Sequence, residues 1–219
     1  TFPGFEPPEG AEADYGISGF RYVSVNRGQK QWQLNAQDAD FYSQAQWVYA
    51  KDVQAELYSD DLSAIKVAGR FARYSMATRD LDVGGNVVVQ FPDGSEIRAQ
   101  LLEFRPNSGF VRIPSKYRVR GKGPNTTSPR SNANELTFES DGLEGKLETG
   151  IFNLPSRVRI EVSGETNKQP PTVVRGDQAT YNKKTGTVEV YSNKTQSRVS
   201  PVTLEQGNLK AYSKLMKLQ

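Results

Sequence analysis

Four stretches of the chain share one arrangement of apolar and small positions. Leu34, Ala36, Ala39 and Phe41 set it out, at i, i+2, i+5 and i+7. It returns at Val67, Gly69, Ala72 and Tyr74, at Ile97, Ala99, Leu102 and Phe104, and at Val174, Gly176, Ala179 and Tyr181. A looser copy lies at Phe138, Ser140, Leu143 and Gly145, and a weaker one at Val202, Leu204, Gly207 and Leu209. The copies recur every ~30–40 residues, the range in which repeats report stacked supersecondary units.

The spacing has a direct backbone meaning. Residues i and i+2 lie on one face of a strand. The step from i+2 to i+5 holds one residue too many for strict alternation, and a bulge or sharp bend supplies that residue. A small side chain at the bend lets neighbouring backbones approach. Each unit therefore reads as a bent strand that keeps one apolar face through the bend.

The pattern predicts a first strand over Ile17 to Val25, with Phe20, Tyr22 and Ser24 on one side, and a turn at Asn26-Arg27-Gly28. The Trp32 strand follows. Ala45 to Tyr58 reads as a strand bent near Lys51-Asp52, with Trp47, Tyr49, Val53, Ala55 and Leu57 on the inner side. Return strands carry a second motif, apolar then three turn-forming residues then apolar, at Val83–Val87, Ile113–Tyr117 and Leu154–Val158, and weakly at Tyr191–Thr195. Pro114 and Pro155 in these motifs imply strand edges or kinks, because proline cannot donate to a ladder. Pro92-Asp93-Gly94 is a tight hairpin signal. Residues 121–134 read as a long loop. The only helical signal is Gln206 to Leu218, where Leu209, Tyr212 and Leu215 can line one helix face. Stacked units of this kind make a β-jellyroll, a twisted sandwich or a β-solenoid.

Composition narrows the chemistry. Apolar residues make up 36% of the chain, with ten Tyr and ten Phe, which is an aromatic-rich β composition and not a disordered one. The net charge of +3 is too weak a bias to argue for nucleic acid. With no Cys and no His there are no disulfides, thiolate nucleophiles, imidazole bases or imidazole metal ligands. A carbohydrate-active site would need two carboxylates. Asp38, Asp40, Asp60, Asp61, Glu139 and Asp141 are available, but none sits in a recognisable motif, and acids in turns are ordinary. No enzyme, cofactor or metal is expected. No run approaches the ~20 apolar residues of a membrane span.

Residues 19–162 resemble the periplasmic domain of the LptC family, the inner-membrane component of the lipopolysaccharide transport bridge. The matching pieces are Gly28…Trp32-Gln-Leu34-x-Ala36-x-x-Ala39 and Leu81-x-Val-x-Gly85-Asn86-Val87-x-Val89. Further ones are Asp93-Gly94…Ile97-x-Ala99-x-x-Leu102-x-Phe104 and Ser140-Asp141-Gly142-Leu143…Gly150-Ile151-Phe152. The pattern is shared in part with the LptA bridge proteins. Residues 164–219 extend past where such domains usually stop.

The resemblance implies an all-β, open, twisted β-jellyroll of stacked bent hairpins. Its apolar groove would accept lipopolysaccharide from the inner-membrane ABC transporter and pass it to an LptA-like bridge protein, each docking through edge strands. It implies a periplasmic protein tethered to the inner membrane, with an anchor expected upstream of Thr1. The expected organisation is a flexible leader at 1–14, the jellyroll at 15–162, a linker at 163–171 and a C-terminal β extension at 172–219. The physics suits a carrier, since a chain of about a dozen methylenes gains roughly 10 kcal/mol on leaving water.

The candidate lipid-contacting residues are Phe20, Tyr22, Trp32, Leu34, Trp47, Tyr49, Val67, Val89, Ile97, Ile113, Leu147, Phe152, Val158 and Ile160. Each is equally suited to the plain core of a closed structural or carbohydrate-binding β-sandwich, which is the competing reading. Lys116, Arg118, Arg120 and Lys122 form a basic run, either a solvated strand face or a contact for head-group phosphates or an acidic surface.

Overall fold

A computed structural model describes residues 4–7, 9–26, 28–58, 64–123, 136–163, 170–192 and 201–218. The expected loop core at 124–134, most of the linker, Arg27, Asp60, Asp61 and the end of the Tyr191–Thr195 motif lie outside these residues. Among the described residues the chain is all-β, with a single 3-10 turn at Pro106–Ser108 and no α-helix. Every recorded pairing is antiparallel, and the architecture is the expected open β-jellyroll of bent hairpins. The chain forms two compact units, one of Thr1–Pro92 with Arg98–Arg112, the other of Asp93–Ile97 with Ile113–Gln219.

In the first unit, β1 (Tyr15–Asn26), β2 (Gln29–Tyr42), β3 (Trp47–Tyr58), β4 (Ala64–Ser75) and β5 (Leu81–Gln90) pair in sequence order. β6 (Glu96–Arg105) follows, after a turn in which Asp93 Oδ1 accepts from Ser95 N at 2.9 Å. Each of the first five strands bends at one line. The β1–β2 register passes from Ser18↔Asp38 to Phe20↔Ala36, and the β2–β3 register from Asp38↔Lys51 to Ala36↔Val53. The β3–β4 register passes from Lys51↔Phe71 to Val53↔Gly69. Gly19, Asp52, Gly85 and Asn86 take up the bend with positive φ. These are the positions where the two-three spacing demands an extra residue, so Ala36 and Ala39 are both buried, as are Val67 and Ala72.

The bend folds each strand into two limbs, and ring contacts show the limbs facing each other. Tyr22 from one limb lies 5.3 Å from Tyr74 of the other, and Phe20 lies 5.5 Å from Phe41. β1 is the outermost strand and pairs only with β2 among the described residues.

In the second unit the bend sharpens into a corner, and one strand serves two layers. β7 (Phe110–Lys122) precedes β8 (Leu136–Lys146). Residues 136–139 of β8 pair with β10 (Val158–Val162), while residues 144–146 pair with β9 (Ile151–Leu154). Between them Gly142 turns at φ +81, where an added Cβ would meet Ser115 Cα at 2.9 Å. β9 and β10 are joined through Pro155 and Arg157, the latter at φ +49, so the second motif marks a layer change. The fourth repeat copy does the same: β11 (Thr172–Gly176) pairs with β10 and β12 (Gln178–Asn182) pairs with β9, with Asp177 between them. β13 (Thr187–Tyr191) extends one layer and β14 (Val202–Gln206) the other.

The helical spacing noted over Gln206 to Leu218 does not produce a helix. β15 (Leu209–Ser213) pairs with β14 across the Gly207 turn, and β16 (Leu215–Leu218) pairs with β13. The three-residue apolar spacing there is exposed surface, with Leu209, Tyr212 and Leu215 all more than half accessible. The weakest repeat copy thus spans a hairpin, not a bent strand.

Candidate functional site

The apolar interior of the first unit is built by side chains from both limbs. Phe20 and Tyr22 on β1 and Trp32 and Leu34 on β2 come from one limb, as their register Tyr22↔Leu34 requires. Val48 and Ala50 on β3 and Ala72 and Tyr74 on β4 come from the other. Between them lies a narrow space that admits the centre of a water-sized sphere over about 10 Å³, room for roughly one water.

Aromatic side chains close this space. Tyr22, Trp32 and Tyr74 form a triangle with centroid separations of 5.1, 5.3 and 5.4 Å, and the Tyr22 and Tyr74 hydroxyls are hydrogen-bonded at 3.2 Å. Burial, and then the hydrogen bond with Tyr22, push the Tyr74 phenol well above its ordinary pKa, so it stays neutral. Trp32 is 1% exposed, and its indole Nε1–H has no acceptor among the described residues.

The parity of β3 differs from the expected one. Val48 and Ala50 face inward, followed by Val53, Ala55 and Leu57, so Trp47 and Tyr49 stand on the opposite, outer face. The positive φ of Asp52 shifts the alternation by one residue. A further copy of the spacing was legible here: Val48, Ala50, Val53 and Ala55 fall at i, i+2, i+5 and i+7, with Ala55 where the full copies carry an aromatic residue. Trp47 instead stacks under Arg73, whose guanidinium lies 4.8 Å from its ring and 5.8 Å from that of Phe5. Arg73 also donates to the Gly4 carbonyl at 2.9 Å and to Asp82 at 2.8 Å, and Arg105 reaches Asp82 at 2.7 Å. Phe5 is buried in this contact, so part of the leader is docked on the outer face of the first unit.

The remaining apolar candidates are distributed along the chain. Val67, Val89 and Ile97 are buried on β4, β5 and β6. In the second unit Ile113, Phe152, Val158 and Ile160 are buried, Val158 and Ile160 at no more than 2% exposure, beside Val174, Ala179 and Val190 at 0%. Leu147 is half-buried in the turn between β8 and β9.

The basic run lies on an exposed strand face. Arg118 donates to Glu139 at 2.8 Å and to Asp141 at 3.0 Å, and Arg120 pairs with Glu139 at 3.2 Å. Lys116 lies 5.0 Å from the Tyr117 ring, and Lys122 is exposed. Asp141 also accepts from Arg157, which ties the β9–β10 corner to β8. Burial pushes the Asp141 carboxyl up, but hydrogen bonds from Arg118 and Arg157 outweigh it and hold the group below the usual range. The Arg118 hydrogen bond does the same for Glu139 against a weaker burial effect. These two candidate carboxylates are therefore ion-paired latches, and Asp38 accepts from Ser18 Oγ at 2.8 Å.

A sheet folded over an apolar interior, with outer strands unpaired on one side among the described residues, defines an open β-jellyroll. The chain belongs to the LptC family: the family described as lipopolysaccharide-assembly, LptC-related matches residues 6–163. This is a family of non-catalytic transport proteins, and the role it assigns is lipopolysaccharide transport in general. A search of curated proteins returned no match. Strands β11 to β16 lie beyond the matched residues.

Proposed function

We propose that the protein is a non-catalytic carrier that takes the acyl chains of lipopolysaccharide between the two limbs of its first unit. In this reading it accepts the lipid from an inner-membrane ABC transporter and passes it to an LptA-like bridge protein in the periplasm. The observation that carries the proposal is the nature of the closure along β1. There the limbs meet through the Tyr22, Trp32 and Tyr74 side chains, while β1 is the outermost strand of its unit. Side-chain contacts can part without breaking a backbone ladder. An acyl chain entering there replaces the aromatic contacts with its own methylenes, each worth about 0.8 kcal/mol when buried. Among the described residues β1, β15 and β16 keep a free edge that suits pairing with partner strands. Four of the large exposed apolar side chains, Tyr15, Ile17, Val23 and Val25, lie on β1.

The narrowness of the interior favours a second reading, a closed β-module without a lipid site. Site-specific photocrosslinking separates the two. A benzophenone side chain at Phe20 or Leu34 should label added lipopolysaccharide, and one at Trp47 on the outer face should not. Labelling at none of these positions, or only at Trp47, supports the closed module. Contact of the Lys116–Lys122 run, on the second unit by itself, with head-group phosphates or an acidic lipid surface is a separate part of the proposal, and Arg120→Glu should then weaken binding of the protein to vesicles that contain acidic lipid.

A further inference from the structure

We infer that the leader is a releasable strap across the outer face of the first unit, with Phe5 as the ligand of an aromatic recess built by Tyr42, Trp47, Tyr49 and Arg73. The inference goes beyond lipid carriage and does not depend on it.

The strand register assembles the recess. Tyr42 on β2 lies opposite Trp47 on β3, and Tyr49, two residues further on, lies opposite Arg73 on β4. All four side chains therefore share the outer face. Tyr42 packs edge-on against Tyr49 at 5.5 Å, and the Arg73 guanidinium covers the Trp47 ring at 4.8 Å. Asp82 holds that guanidinium in place at 2.8 Å. Arg73 then contacts two features of the leader, the Phe5 ring at 5.8 Å and the Gly4 carbonyl at 2.9 Å.

The leader is fixed at its two ends. Phe5 is only 9% exposed. At the other end Asp14 N donates to the Phe41 carbonyl at 2.9 Å, and the Asp14 carboxylate accepts from Ser43 N at 2.5 Å. The described residues between these anchors are all exposed, and the sequence there holds no large apolar side chain other than proline. One ring thus decides whether the leader lies on the sheet. Two local effects oppose each other. Pro7 and Pro8 restrict the open chain and so favour closure. Arg73 Nε is buried without an acceptor among the described residues, and release would let the guanidinium turn and hydrate. No strand ladder has to break when Phe5 leaves. Release lets Phe5 move up to roughly 30 Å from Asp14, so the strap sets how far the leader extends from the first unit.

Acrylamide quenching of tryptophan fluorescence in the full chain tests the strap, because Trp32 is 1% exposed while Trp47 lies in the recess. Phe5→Ala should leave the circular dichroism spectrum unchanged and raise the quenching constant about twofold as the leader lifts away. Phe5→Tyr should keep the wild-type constant. A labelled peptide of residues 1–14 should bind the Phe5→Ala protein in the millimolar range or below, since a tether this short supplies a local concentration of that order. Binding should restore the wild-type quenching constant, and the same peptide carrying Phe5→Ala should not restore it. The wild type, whose recess is filled by its own Phe5, should bind the peptide at least about tenfold more weakly, the factor expected for burying one large apolar side chain. Equal quenching of the wild type and Phe5→Ala overturns the strap. Equal peptide affinity for the two proteins, or binding to neither up to about 5 mM, also overturns it. Loss of the fold in Phe5→Ala would make Phe5 a core residue and overturn it as well.

Discussion

Replacing Gly69 by alanine tests the central structural argument, that small residues at the bend let packed layers approach. Gly69 sits on β4 next to the bend, and its φ is not in the left-handed region. Alanine therefore meets no backbone strain, and by restricting the unfolded chain it would stabilise by about 0.4–1 kcal/mol if space allowed. Space does not allow. The new methyl would lie 2.5 Å from Val83 Cγ1 and 3.1 Å from the Gly84 carbonyl oxygen. Val83 is 1% exposed and cannot swing into solvent. Overpacking of this kind costs about 1–3 kcal/mol, so the net expectation is a loss of about 1–2 kcal/mol. Val83→Ala alone should cost about 2–3 kcal/mol, from two lost methyls and the cavity they leave. In the double variant the methyl added by Gly69→Ala occupies the vacated space, so the double should be at least about 1 kcal/mol more stable than the sum of the singles. Urea unfolding followed by tryptophan fluorescence is the assay, because Trp32 and Trp47 both belong to the first unit. A stabilising Gly69→Ala, or singles that add within about 0.5 kcal/mol, would refute the close-approach argument.

Other outcomes follow from particular contacts. Val48→Asp should unfold the first unit, because it buries an unpaired carboxylate, whereas Trp47→Asp should fold and cost about 1–2 kcal/mol; circular dichroism of the two variants decides the parity of β3. Asp141→Ala should cost the second unit about 2 kcal/mol, since it removes charged hydrogen bonds but leaves Arg118 and Arg157 able to reach water; urea midpoints measure it. Glu139 and Asp141 have lowered folded-state pKa values, so the stability they contribute is present above the unfolded carboxylate range near 4 and is lost as pH falls through the folded values. The urea midpoint should therefore drop below about pH 4, and drop less steeply in Asp141→Ala. Truncation after Ser163 should leave β9 and β10 without their β12 and β11 partners and bare Val158 and Ile160; light scattering should detect self-association.

The two-three spacing made the bent strands legible from the residues alone. The extra residue is a local property of the backbone, and the bends at Asp52 and beside Ala36 and Gly69 fall where the pattern requires. The hairpin at Pro92-Asp93-Gly94 and the first strand with Phe20 and Tyr22 on one side were legible for the same reason. Strict alternation through Trp47 and Tyr49 was the wrong period for β3, although the correct one was written at Val48, Ala50, Val53 and Ala55. The large aromatic residues drew attention away from it, and Arg73 with Phe5 gives Trp47 an apolar contact on the outer face.

Other features were decided only when distant strands met. Nothing local distinguishes a bend that stays in one strand, as at Arg70, from a corner that hands the strand to another layer, as at Asp177. Which occurs depends on the neighbours, β9 and β10 having already separated at Pro155. Leu209, Tyr212 and Leu215 have helical spacing, yet β13 and β14 offered open ladders that a helix would have left unpaired. The aromatic closure and the unpartnered indole of Trp32 are likewise tertiary facts. Periodicity says which face a side chain takes, and only the folded limbs determine which side chains it meets there.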